Sequence, residues 1–350
     1  MSHHPLRELI LARVREFFRE PEAIFWVYGF PILLAVGLGI AFRTSGEEPV
    51  RIWIETPAQP PLLGPTEGAV AECLEKDSRF RVERKPAEEC RAGLTLGRAD
   101  LVIRLGDGVR FEFDPRRPES ALARQWADAA IQSAGGRRDA VKTAEARIDE
   151  HGARYIDFLI PGLIGMNLMG GGLWGVGFVI VDLRVRKLLK RFLATPMRKR
   201  DFLLSILGSR MLFLVPEVVL LLLVGRLAFG VPNRGSLAAV ASVVVVAALS
   251  FSGLGLLVAS RANKIETISG LMNLVMLPMW LLSGIFFSSE RFPDEIQPFI
   301  QALPLTAAND ALRSVMLEGK SLPSQASELV LLAAWGLVSF ALSMRWFRWI

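Results

Sequence analysis

Six stretches of this 350-residue chain are long and apolar enough to cross a bilayer, and no other property of the sequence restricts its fold so tightly. They are residues 24–42, 156–181, 202–227, 237–259, 268–287 and 329–346. A helix needs about 20 mostly apolar residues to span the hydrocarbon core. Apolar residues make up 51% of the chain and the mean hydropathy is +0.36, too oily for an ordinary soluble domain. The chain therefore reads as an α-helical polytopic membrane protein with six transmembrane helices. The first stretch follows a charged amphipathic segment and precedes no small-residue cleavage pattern, so it reads as a retained span and not as a signal.

Lys and Arg crowd residues before the first stretch, the segment 183–202, the turn holding Arg261 and Lys264, and the tail with Arg345 and Arg348. An even number of spans puts those four regions on one side, and the positive-inside rule makes that side cytoplasmic. The net charge of +6 follows from this clustering. It points to topology and to the anionic headgroups of the lipid bilayer, with no nucleic-acid module in view. The implied organisation is a cytoplasmic amphipathic helix over 1–22, a first span over 23–43, an extracytoplasmic domain over 44–155, and five further spans over 156–350.

Between Arg43 and Arg154 the pattern changes to charges, prolines and short apolar runs. VRIWIE (50–55), RFRVE (79–83), DLVIRL (100–105) and VRFEF (109–113) read as strands, and 66–76, 86–96 and 118–134 as helices. That order predicts a small α/β domain. Both cysteines, Cys73 and Cys90, fall within it. An oxidising compartment permits a disulfide between them, and spacing leaves that reading and a pair of free thiols equally open. Residues 288–322 contain two short amphipathic pieces split by Pro304, too short to cross and too apolar for a loop.

No metal or nucleophile signature is present: the chain has three histidines and lacks HExxH, GxSxG and CxxC. A chain of this kind takes its energy from a partner or a gradient and binds no cofactor itself. Within the spans, Glu217 follows Pro216 near the middle of the third, and Arg210 lies seven residues earlier on the same helical face. A carboxylate at that depth is costly unless it is paired or faces water. Two readings stand: a cavity-lining acid, or a buried acid held by Arg210 or by Asn167 and Asn273 of neighbouring spans. Gly171 and Gly175 have the spacing that allows close helix approach, serving either dimerisation or packing within the chain. Pro161 and Pro278 interrupt the second and fifth spans.

Between the second and third spans, Val185, Leu188, Leu189, Phe192 and Leu193 draw one apolar stripe at helical spacing, with Arg184, Arg186, Lys187, Lys190 and Arg191 opposite. Thr195 before Pro196 reads as an N-cap starting the next helix. The segment is thus a short helix suited to a cytoplasmic partner. Residues 6–20 repeat the amphipathic pattern and read as an interfacial helix.

Three segments together resemble the permease subunits of ABC-2 type transporters, whose membrane half is similar to that of the ABCG exporters. They are REFFREPEAIFWVYGFPILLAVGLGIAF (15–42), KLLKRFLATPMRKRDFLLSILGSR (187–210) and LSGIFFSSERFPDEIQPFIQALPLTAANDALRSVMLEG (282–319). The resemblance implies that 183–195 is a coupling helix docking a cytoplasmic ABC ATPase, with Val185, Leu188, Leu189, Arg191, Phe192, Thr195 and Pro196 at the contact. It further implies a connecting helix over 6–20 and outer re-entrant helices within 288–322. The assembly would contain two ATPase subunits, carrying the ATP and Mg, and a second permease copy, identical or paralogous, with the substrate path at the permease interface. The expected setting is a bacterial inner membrane, and the expected cargo is hydrophobic or amphiphilic. A membrane sensor or scaffold, with a ligand-binding external domain and a basic helix recruiting a signalling protein, is the competing reading.

Overall fold

The computed structural model describes residues 5–42, 49–56, 67–105, 108–137, 154–194 and 199–347. The chain divides into two compact units, one formed by Thr44–Ile148 and the other by Met1–Arg43 with Asp149–Ile350.

In the smaller unit the strands are β1 (Val50–Glu55), β2 (Phe80–Lys85), β3 (Leu101–Leu105) and β4 (Val109–Glu112). They form one sheet in the order β2-β1-β3-β4. β1 pairs in parallel with β2 and β3, and β4 returns antiparallel to β3. Parallel neighbours need a crossover, supplied here by helices Glu67–Glu75 and Ala87–Thr95. Alternation along β1 decides the faces. Ile52 and Ile54 join Leu101, Ile103, Val70, Leu74 and the small residues Ala123 and Ala127 of helix Pro118–Ala134. Trp53 and Val102 turn the other way, towards Cys90 and Ala99.

That division settles the cysteines, which are both free. Cys73 sits on the helix of the first face, its thiol 3.5 Å from the Ala130 carbonyl oxygen. Cys90 is buried under Trp53 on the other face, its thiol donating to the Lys85 carbonyl oxygen. The sheet lies between them, so the disulfide alternative is excluded by the register of β1.

Among the described residues, the larger unit has six helices long and apolar enough to cross a membrane: Pro21–Ala41, Tyr155–Val185, Asp201–Phe229, Leu237–Ala259, Ile265–Leu282 and Leu322–Trp346. These are the first to sixth spans below. The apolar windows of the second and fourth are 61% buried within the chain, against 17–28% for the other four. The second and fourth spans therefore form the centre, and the rest present apolar faces that only lipid or another subunit can cover.

The fifth span stops at Leu282, five residues short of the apolar run, because Gly284 takes a left-handed conformation (φ 70°) and turns the chain. Phe286 and Phe287 thus follow the helix. Beyond them, Gln297–Gln301 and Pro304–Met316 form the two short helices expected on either side of Pro304. The N-terminal helix, Pro5–Phe18, packs along the third span: Phe17 stacks on Phe213 with ring centres 4.4 Å apart.

Candidate functional site

Arg210 and Glu217 meet two turns apart on the third span. Their side chains are only 6% and 3% exposed, with Nη2 and Oε2 separated by 2.9 Å. The same Nη2 donates to the backbone oxygen of Asn167 at 3.4 Å, tying the pair to the second span. Close passage of the two helices depends on Gly171, where a Cβ would stand 1.6 Å from Nη2 and 1.8 Å from the guanidinium carbon. Gly175 similarly faces the Arg210 Cδ. On the other flank Gly172 meets the Phe251 backbone of the fourth span. The glycine-rich stretch is therefore used inside the chain, and Gly171–Gly175 accommodates an arginine. A π-helical turn at Leu173–Phe178 overlaps it, an irregularity frequent at functional sites.

All four intramembrane polar residues singled out above, Asn167, Arg210, Glu217 and Asn273, line one cavity of about 1150 Å³. Its walls include Trp26, Trp174 and Trp280 from the first, second and fifth spans, and its remaining charged lining comes from residues 13–22, which run into the start of the first span, and from the end of the second span. There Arg13 pairs with Glu16 and Arg186 with Asp182, each at 2.9 Å. The cavity joins a broad aromatic surface to a compact, self-neutralised polar centre. Among the described residues no cluster of His, Cys, Asp and Glu could hold a metal ion.

The basic segment departs from its expected form. The second span continues to Val185, the chain breaks at Lys187, which adopts a left-handed backbone (φ 58°), and a separate helix runs from Leu188 to Leu193. The stripe is consequently split. Leu189 is 1% exposed and, with Leu188 and Phe192, packs onto the membrane unit, Phe192 lying 5.5 Å from the Phe202 ring. Val185 stays 42% exposed at the end of the span. Arg186, Lys187, Lys190 and Arg191 face outward. Leu188, Leu189 and Phe192 thus anchor the helix, and its free face is cationic. Thr195 and Pro196 lie outside the described residues.

Sequence reasoning missed two residues of the helix Pro304–Met316. Asn309 Nδ2 donates to the Ser283 carbonyl oxygen at 2.8 Å. The Arg313 guanidinium lies 3.6 Å over the Phe158 ring and donates to the Phe158 and Gly284 carbonyl oxygens. Together they fasten the short helix to the second span and to the turn after the fifth. The available signal was an Asn-Asp-x-x-Arg pattern on an otherwise apolar helix.

Residues 134–317 match the family model described as ABC-2 type transporter. Over 207 residues, covering 58% of this chain and 28% of the relative, the sequence is 28% identical to ABC transporter G family member 20 of Dictyostelium discoideum. Over 200 residues, 56% of this chain and 75% of the relative, it is 25% identical to Nodulation protein J of Bradyrhizobium diazoefficiens. Over 163 residues, 46% and 43% of the two chains, it is 26% identical to the probable multidrug ABC transporter permease YbhS of Escherichia coli. The chain spans less than half the length of the first and third of these relatives.

Proposed function

This chain belongs to the ABC-2 type transporter family as a multi-pass membrane subunit, and we propose that it forms, with a second permease copy, the path for ATP-driven export of a hydrophobic or amphiphilic substrate. Family membership implies association with an ATPase subunit. In the proposed assembly two cytoplasmic ABC ATPases hold the ATP and Mg, and this chain binds neither. Both termini and the helix Leu188–Leu193 face the cytoplasm of a bacterial cell, with the α/β unit outside its inner membrane.

The observation that carries this reading is the short helix with its apolar side anchored in the membrane unit and four exposed cations beside it. A helix held that way moves with its spans when a partner pushes on it. When ATP closes the ATPase pair, the two basic helices shift and the spans tilt to release substrate outward. The cavity around Arg210 and Glu217 supports the substrate class: tryptophan walls take an apolar body, and the paired charges with Asn167 and Asn273 take its polar group. The fifth span supports a second copy, since Leu274, Leu277 and Leu281 are exposed beside the cavity-lining Asn273 and Trp280.

Reversing the charge of the free face tests the reading. With Lys187→Glu, Lys190→Glu and Arg191→Glu together, the chain keeps its size-exclusion profile and binds its partner ABC ATPase about a hundredfold more weakly. Undiminished co-purification of that ATPase would overturn the docking assignment. Screening amphiphiles of each charge type for stimulation of ATP hydrolysis by the wild-type complex tests the cargo class. Stimulation confined to small inorganic ions would reject it.

A further inference from the structure

Arg184 belongs by sequence to the cationic side of the basic segment, yet its guanidinium turns inward. Nη1 donates to the carbonyl oxygens of Ala259, at 2.9 Å, and Ala262, and Nη2 donates to that of Ser260 at 3.4 Å. Ala259 ends the fourth span and Ser260 is its C-cap. The last carbonyls of a helix have no partners within it and form the negative end of its dipole, so a planar fork of donors fits them closely. The guanidinium also lies 5.3 Å from the centre of the Phe347 ring, directly after the sixth span, while Arg261 stands 5.7 Å from Trp346. The fourth and sixth spans pack closely at their contact: a Cβ on Gly253 would stand 2.9 Å from the Gly336 oxygen, and one on Gly336 would stand 3.1 Å from the Ser250 Cα.

Three residues, Val185, Arg186 and Lys187, separate Arg184 from the helix Leu188–Leu193. We infer that Arg184 is the positioning residue that passes a displacement of this basic helix to the paired fourth and sixth spans. The inference rests on the docking reading above, which supplies the displacement. The second span carries the basic helix at its end, and the Arg184 fork makes the neighbouring helix end follow it. Lysine at this position keeps the charge but, as a compact point donor, does not hold three carbonyls in a fixed fork.

The test uses the full complex with its ATPase, in a chain carrying C73A and C90A and an environment-sensitive fluorophore at Leu237→Cys. Leu237 begins the fourth span, at the end opposite Arg184, and is exposed. The wild-type background retains the ATPase and its fluorophore responds to ATP with vanadate. Arg184→Gln retains the ATPase and hydrolyses ATP, while the response falls about tenfold; Arg184→Lys gives an intermediate response. A wild-type response in Arg184→Gln overturns the inference and leaves the docking reading standing. If Arg184→Gln fails to fold, Arg184→Lys decides, and a full response there overturns it. Failure of the wild-type background to retain its ATPase overturns the docking reading and this inference with it.

Discussion

Gly93 in the α/β unit and Gly171 in the membrane unit do the same steric work for opposite kinds of neighbour. A Cβ on Gly93 would stand 2.0 Å from the Trp53 ring, and one on Gly171 would stand 1.6 Å from the Arg210 guanidinium. In the first unit the space serves an apolar ring, because burying apolar surface away from water drives that core together. Between helices in lipid that drive is absent, and association relies on close packing and polar ties. Accordingly glycine contacts such as Gly172 with Phe251 and Gly253 with Gly336 are joined by polar ties that run through arginines: Arg210 to Glu217 and Asn167, Arg313 to the Phe158 and Gly284 carbonyls, and Arg184 to the end of the fourth span. One core is specified by shape and the other by charge placed in shape.

The largest effect expected from this contrast comes from breaking the intramembrane pair. Glu217→Ala leaves Arg210 buried without its carboxylate and destabilises the chain by about 3–5 kcal/mol, measured as lost thermal stability in detergent. Replacing both partners, Arg210→Met with Glu217→Met, removes the uncompensated charge and returns stability to within about 1 kcal/mol of wild type. The double variant also loses the polar centre of the cavity, so amphiphile-stimulated ATP hydrolysis falls although the fold is kept. Equal destabilisation by the single and double variants would show that the pair is not what holds these helices.

The glycines give smaller effects that separate the two kinds of core. Gly171→Ala displaces the tip of a long side chain and loosens the ion pair, costing about 2 kcal/mol, and the cost largely disappears in the Arg210→Met, Glu217→Met background. Gly93→Ala meets the face of a buried indole that has no free end to swing away, and costs about 1–3 kcal/mol through overpacking. Only a smaller side chain relieves it, as in Trp53→Leu. Melting curves of the singles and combinations give both coupling energies. A Gly171 cost independent of Arg210 would make the contrast false.

The same contrast explains which parts of the molecule were legible in sequence. VRIWIE and DLVIRL announce their strands through alternation and β-branched residues, and the seven elements of the α/β unit lie within about two residues of the reading. The six spans follow from continuous apolar runs for the same reason. Arg210 and Glu217 were visible as a pair because one helix sets their spacing. Asn309, Arg313 and Arg184 were not, because their partners are main-chain carbonyls at helix ends and turns, which leave no trace in side-chain pattern. The break at Lys187 was equally silent, since neither Gly nor Asn marks that left-handed residue. Periodicity carried the amphipathic stripe straight across it and merged two helices into one.

The smallest predicted effect concerns Cys90, in the core built by shape alone. Burial pushes its thiol above the ordinary range, Glu55 adds to the rise and Arg104 opposes it. Well below about pH 8.5, the ordinary pKa of an unfolded cysteine, both states hold the proton and the residue contributes no pH dependence. Above that pH the unfolded chain binds fewer protons than the folded one. Stability then falls with rising pH, by up to about 1.4 kcal/mol per unit until the folded thiol titrates as well. Cys90→Ala lacks this increment, so the loss of melting temperature between pH 8 and 10 is expected to be smaller in the variant than in wild type. Iodoacetamide modifies Cys90 only after unfolding, for the same reason that it escapes a disulfide: the Trp53 side of the sheet closes over it. An identical alkaline loss in wild type and variant, or rapid alkylation of Cys90 in a folded chain carrying Cys73→Ala, would place the thiol in water and reopen the packing of that face.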